Sequence, residues 1–494
     1  MLLSICSVAS NKIYILDPPG GCTSGFTAPQ WVTSTSYYGV GTTQAGNAWV
    51  SNAGKYYKNA TGHTATSGAT APTCSSGTCS DGGVTWRFEA NNQQQCVDDI
   101  AHYVYPVVDG VSLVIPWSSD EGGVGIETSN STNTAHQAYS YTAFDATVTN
   151  GTTGYLDNPN WPAGGKIIMV VKAMRSGGNN VYIPNYVVST VYAASLLSSA
   201  QNVGFCSSGL SYAGQNNGGT LPVNTIANIN TSGVQLATLV SGWLEMIDTP
   251  ASTAYQALAT NIISHYNSVS WNSSIAYMRF GVGTGGESLW ACNIQAASFY
   301  SLSNSQMLTT WLTWTQSLFN TIAAASPNFT IDEAQDCAGG CKTGTTGIIT
   351  NVWADDNAAK AVAAGFGVGG NGETESDITF FSSGGVSAGS GISNDFAYIW
   401  NTYPSAALHE FQQVSFTDPT GVNAPGSLVD LLPFAQARGG DHWEAFYQDL
   451  CVALCPNYYQ YATYHTAYQT VITTFHNGGT TINPPHLTLL GAGE

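Results

Sequence analysis

The sequence predicts an α/β protein: a (β/α)8 TIM barrel with a small all-β module near the N-terminus. Three observations carry this reading. From Cys96 onward, short apolar runs alternate with amphipathic stretches of helical period, the texture of βα units. Eight such runs can be placed in order along the chain, the number a closed parallel barrel needs. Before Cys96, aromatic residues punctuate a Gly/Thr/Ser background rich in turn formers, which reads as short antiparallel strands. A doubly wound sheet is the alternative arrangement of the same βα units.

Residues 1–25 read as an extended lead-in. Met1–Ser10 is apolar with small residues, like the end of a signal peptide without its basic start. Pro18, Pro19, Gly20 and Gly21 then break the chain. Residues 26–95 form the small module, punctuated by Trp31, Tyr37, Tyr38, Trp49, Tyr56, Tyr57 and Trp86.

Residues 96–494 are assigned to the barrel. Val107–Trp117, an apolar run that ends at Trp117, is its expected first strand and Lys166–Lys172 its second. Gln201–Cys206 is a short third. A helix over Ser252–Tyr266 leads to the fourth, Ala276–Phe280, which runs into a glycine-rich turn ending on Glu287. Leu308, Leu312, Leu318, Phe319 and Ile322 mark a helix over Gln306–Ala325. Asn328–Ile331 is the fifth strand, followed by Asp332, Glu333 and Asp336. A helix over Asp356–Ala364 leads to Gly365–Gly370, the sixth. Ala407–Phe411 is the seventh and His442–Tyr447 the eighth, with helices over Leu428–Ala437 and Tyr458–Phe475.

Composition narrows the function. With 494 residues, 43% apolar, the chain can bury a large core. Only 8% is charged, and the formal net charge is -19. That balance argues against nucleic acid, which needs a basic face, and gives no support to an anionic membrane surface. No run approaches 18 apolar residues, so no membrane span is expected. Eleven cysteines include the close pairs Cys74/Cys79 and Cys337/Cys341. Local disulfides are favoured over metal clips, because the ligand spacing of zinc sites is missing. The odd count leaves one thiol over, with Cys6 the expected orphan. Disulfides and few lysines point to a secreted, extracellular protein. Phosphate-loop and HExxH patterns are absent from the sequence, so no cofactor or metal is expected.

Acids are scarce, and two of them fall at the ends of apolar runs: Glu287 after the fourth strand and Glu410 at the seventh. A barrel keeps its reactive groups at the C-terminal ends of its strands. Glu287 and Glu410 are therefore expected to face each other across one cleft. Glu444, in the eighth run, rivals Glu410 should the strand count slip by one. Arg279 inside the fourth strand needs a buried partner; it either holds the nucleophile ionised or pairs with another core acid. Trp117, Trp290, Trp353, Trp400 and Trp443 lie at or near strand ends, where indoles stack on sugar rings or serve as core. His409 and Gln412 flank Glu410 and can contact hydroxyls. Asp332, Glu333 and Asp336 lack the spacing of a calcium loop and read as a solvated loop.

These positions resemble the retaining glycoside hydrolases built on (β/α)8 barrels, of the β-galactosidase-like, clan A type. The resemblance covers roughly residues 97–476. It implies that Glu287, ending strand four, is the acid/base and Glu410, ending strand seven, the nucleophile, acting on a poly- or oligosaccharide. The GxGxGGE turn is similar to the Gly-Glu ending of strand four in some of those families; the usual Asn-Glu pair is absent, since Gly286 precedes Glu287. The small module is similar to chitinase-type carbohydrate-binding modules, which implies an aromatic platform for sugars; the other use of its aromatics is its own core. Retention would place the two carboxyls about 5–5.5 Å apart and inversion about 6.5–9.5 Å. A non-catalytic glycan-binding or adhesion protein is the rival class. The sequence leaves the oligomeric state open.

Overall fold

The computed structural model describes residues 11–16, 26–37, 48–120, 125–172, 249–280, 304–336, 350–373 and 403–478, apart from short breaks inside these ranges, and two short stretches within 211–216. Eight parallel strands close into a barrel. They are β1 (Lys12–Leu16), β2 (Gly110–Pro116), β3 (Lys166–Lys172), β4 (Ile275–Phe280), β5 (Thr330–Asp336), β6 (Gly367–Glu373), β7 (His409–Gln413) and β8 (His442–Phe446). Each pairs with the next in chain order, and β8 pairs back on β1 with Glu444 opposite Tyr14. The expected (β/α)8 barrel is present, and the doubly wound alternative is excluded by the closed ring.

Strand numbering needs one correction. The lead-in supplies the first strand: Lys12–Leu16 is short, but Ile13, Tyr14 and Ile15 are all buried. The barrel therefore begins before the small module rather than after it, and the expected first and second strands are the second and third. The expected third strand, 201–206, lies outside the described residues, and the ring closes without it. From β4 to β8 the numbering stands.

Period-two alternation sends successive side chains to opposite faces of a strand. Outward residues such as Ile115, Met169, Phe280, Ile331, Phe411 and Trp443 pack under the helices. These helices are α1 (Thr249–Ser268), α2 (Asn304–Ala324), α3 (Thr350–Ala363), α4 (Leu428–Ala437), α5 (Tyr447–Leu454) and α6 (Tyr461–His476). The sequence did not suggest α5. Ser427 caps α4 by accepting from the Val429 N–H, a satisfied helix start. Inward residues Tyr14, Ile168, Val170, Tyr277 and Leu408 form a separate apolar cluster inside the ring.

Between β1 and β2 the chain builds a four-stranded antiparallel sheet from 49–52, 55–59, 84–89 and 78–81, in that spatial order. A two-residue turn joins the first pair, with Ala53 and Gly54 both at positive φ (47° and 73°), the conformation a tight hairpin requires. Tyr37, Val50, Tyr57 and Trp86 are its core. Trp49 is buried too, its Nε1 donating to Asp98 Oδ2 at 2.6 Å. These aromatics hold the sheet together rather than forming an exposed platform. A sheet of this size has little else to bury.

Cys74 and Cys79 form the expected local disulfide, and Cys96 is disulfide-bonded as well. Among the described residues, Cys451 and Cys455 are free and buried, their sulfurs 2.6 Å apart. Cys6, Cys337 and Cys341 lie outside those residues. No helix of the described residues is long and apolar enough to cross a membrane.

Candidate active site

The inner face of the barrel carries a compact charged group. Arg279, the fifth residue of β4, is 1% exposed. Its guanidinium forks between two carboxylates, with Nη1 3.4 Å from Glu410 Oε1 and Nη2 3.3 Å from Glu444 Oε2. Both glutamates are fully buried. Glu444 also accepts from the Tyr277 hydroxyl at 2.9 Å and from Ser112 Oγ at 3.1 Å. Side chains from β2 and β4 thus converge on one carboxylate of β8. Such charge-assisted hydrogen bonds are what make a buried ion tolerable.

Asp332, on β5, stands beside Arg279 in the strand register and is 1% exposed. Burial pushes its carboxyl up to about 7, against the pull of Arg279 and with the push of Glu444. Neither carboxyl oxygen has a hydrogen-bond partner among the described residues. The glycines of β6 make room for these acids. A Cβ on Gly367 would stand 2.8 Å from Asp332 Oδ1. A Cβ on Gly369 would overlap Glu410 Oε2 and stand 3.1 Å from Asp332 Oδ2. The two carboxyls therefore converge over one glycine, a close approach that only a residue without a side chain allows.

Below the charged group lies an aromatic floor. His442 stacks on Tyr14 at 6.1 Å, and Tyr277 meets both rings edge-on at 5.9 Å. Burial, with Glu444 and Glu410 nearby, holds the Tyr277 hydroxyl well above its usual range, so it stays a donor. At the strand starts, Asp441 binds His442 Nδ1 at 2.6 Å and stands 3.6 Å from His409 Nδ1. Burial would raise the Asp441 carboxyl, but these imidazoles hold it well below the usual range. Burial would likewise lower His409. The Asp441 carboxylate and the Tyr403 carbonyl outweigh that and raise it.

The sequence-derived residues divide into three sets. Glu410, Glu444 and Arg279 come together. Gln412 lies on the same face of β7 as Glu410, two residues nearer the C-terminal mouth, and is half-buried. Three others are placed elsewhere. Trp117 is buried beyond β2 against Tyr255, its Nε1 donating to Glu127 Oε2 at 3.0 Å. Trp443 faces outward, stacked on Phe411 and bonded to Gln413. His409 lies at the N-terminal end of β7, its Nε2 3.0 Å from the Tyr403 carbonyl. None of these three reaches the inner cluster: each is held by the core or the opposite rim. Glu287, Trp290 and Trp400 lie outside the described residues.

Two depths are corrected. Glu410 is the second residue of a strand that continues to Gln413, so it sits inside the barrel rather than at its mouth. Asp332 belongs to β5, which continues to Asp336, and is no solvated loop residue. Sequence reading missed Asp332, Tyr277 and Ser112 as members of the cluster. The signal for Asp332 was present: it alternates with Ile331, so one of the two had to face the axis.

No protein-family model matches the chain, and no curated protein matches it. Among solved structures, the catalytic domain of a β-amylase from Paenibacillus polymyxa aligns over 69% of this chain and 85% of its own, at 10% identity and a TM-score of 0.34. A likeness of that size assigns no residue role.

Proposed function

We propose that this protein is a secreted glycoside hydrolase acting on a poly- or oligosaccharide by a retaining, two-carboxylate mechanism. One observation carries the reading: a closed parallel barrel collects Glu410, Glu444 and Asp332 on its inner face around the guanidinium of Arg279. Glycoside cleavage passes through an oxocarbenium-like state, which a fixed carboxylate stabilises while a second carboxyl gives its proton to the leaving oxygen. Environments that push neighbouring carboxyls apart in pKa provide both roles at one pH. Arg279, 3.4 Å from Glu410, holds it in place as the nucleophile of this reading. Glu287 is the acid/base in this reading, and Gln412 contacts the sugar from the mouth side.

The test is hydrolysis of a polysaccharide panel by the full chain, with the product anomer followed by proton NMR. E287Q and E410Q should each lower turnover roughly 10²–10⁴-fold. Wild-type turnover in either variant removes that residue from the mechanism, and an inverted product removes retention.

A specific observation also favours the second reading, a glycan-binding or adhesion protein. Arg279, Glu410 and Glu444 pair with one another and are closed to solvent, as a purely structural ion cluster would be. In that case the panel shows binding without product.

A further inference from the structure

The inner cluster sets a charge problem that Glu410, Glu444 and Arg279 do not solve among themselves. Among the described residues, three carboxyls, each buried to within 1% of completely, face one guanidinium. Fully ionised, the group would bury more negative charge than Arg279 can compensate, and uncompensated charge away from water is costly enough that a group neutralises instead. The hydrogen bonds show where the neutralising proton belongs. Glu444 accepts from Tyr277 and Ser112 and touches Arg279; Glu410 touches Arg279. Asp332 has no donor among the described residues, and one of its oxygens is pressed against β6 beside Leu408.

We propose that Asp332 is the positioning residue of this site: its carboxyl holds its proton up to neutral pH, so that it adds no further negative charge beside Glu410 and Arg279. The groups that face it are Arg279 and Tyr277 from β4, Glu410 from β7 and Glu444 from β8, with His409 and Asp441 at the lower rim acting at longer range. Burial dominates that set and Glu444 adds to it, while Arg279 and His409 oppose. Its convergence with Glu410 over Gly369 makes the effect local: ionising Asp332 places a second negative charge beside Glu410.

The sign of the linkage follows. A carboxyl near 3.9 in the unfolded chain and about 7 in the fold binds more protons when folded. Its contribution to stability is complete below the unfolded value and is lost as pH rises through the folded one. D332N cannot ionise and escapes that loss. Urea midpoints of the wild type and D332N, taken from pH 4 to pH 8, should therefore separate in favour of D332N as pH rises, with the gap levelling beyond about 7. Parallel curves, or a gap opening in favour of the wild type, overturn the proposal. Asp99 and Asp449 are also pushed up to about 7 by burial, so the difference between the two proteins carries the answer, not either curve alone.

Should D332N fail to fold, a D99N/D449N protein with ¹³C-labelled aspartate carboxyls replaces it. One resonance still titrating near neutrality supports the proposal, and none sinks it. Neither measurement needs a substrate, so both stand apart from the hydrolase reading. A third arm rests on that reading: where hydrolysis is found, D332N should move the alkaline limb of the kcat/KM profile to higher pH. A merely structural role would lower activity at every pH and leave the limb in place.

Discussion

The barrel interior has two arcs built on the same strand geometry from different chemistry. On β3 the axis is faced by Ile168 and Val170, in a strand buried almost end to end. From β4 to β8 it is faced by Arg279, Asp332, Glu410 and Glu444, with two glycines on β6 where the acids crowd. The apolar arc is stabilised additively, since each methylene removed from water counts by itself. The charged arc is conditional: each member is tolerable only because the others are present. Substitution should therefore hurt the two arcs in different ways, and not in proportion to the atoms removed.

The largest effect should come from Arg279→Leu, which strands Glu410 and Glu444. A loss of about 3–5 kcal/mol is expected by urea denaturation at neutral pH. A loss below about 1 kcal/mol would mean that the guanidinium does not compensate them. Next is Gly369→Ala, whose added carbon overlaps Glu410 Oε2. It should cost about 1–3 kcal/mol although it only enlarges a side chain in a strand. The smallest effects make the sharpest pair. Tyr277→Phe removes one donor from Glu444, which keeps Ser112 and Arg279, and should cost about 1.5 kcal/mol. Ile168→Val removes one methylene from the apolar arc and should cost about 0.5–1.5 kcal/mol. Combined with Arg279→Leu, the tyrosine change should be strongly non-additive and the isoleucine change additive.

What the sequence revealed follows the same division. Lys166–Lys172 was found to the residue, because a strand buried on both faces is an apolar run. Three strands of the charged arc, β5, β6 and β7, were found but cut short. Reading stopped at Ile331 and at Phe411, the last apolar residues, whereas β5 continues to Asp336 and β7 to Gln413. An apolar run traces the outward face, and a polar inner face looks like the start of a loop. That is why Glu410 was expected at the rim and Asp332 was set aside. β1 was missed because five residues before a Pro/Gly break carry too short a pattern to separate from a lead-in. Arg279 was legible as a residue in need of a buried partner, and the barrel provides two.

The seam between β1 and β8 has a consequence for how the chain reaches this shape. Lys12–Leu16 pairs with His442–Phe446, residues from opposite ends of the described chain. Contacts of such sequence separation form late, because the entropy of closing the intervening loop is lost before the pairing repays it. During synthesis β1 can lie against β2, but its other edge stays open until β8 has emerged. Glu444 arrives with that last strand, so it meets Arg279 only when the ring shuts. Closure of the wall and completion of its charged interior are one event, and a nascent chain stalled before His442 would hold an unsealed sheet edge beside an incomplete cluster.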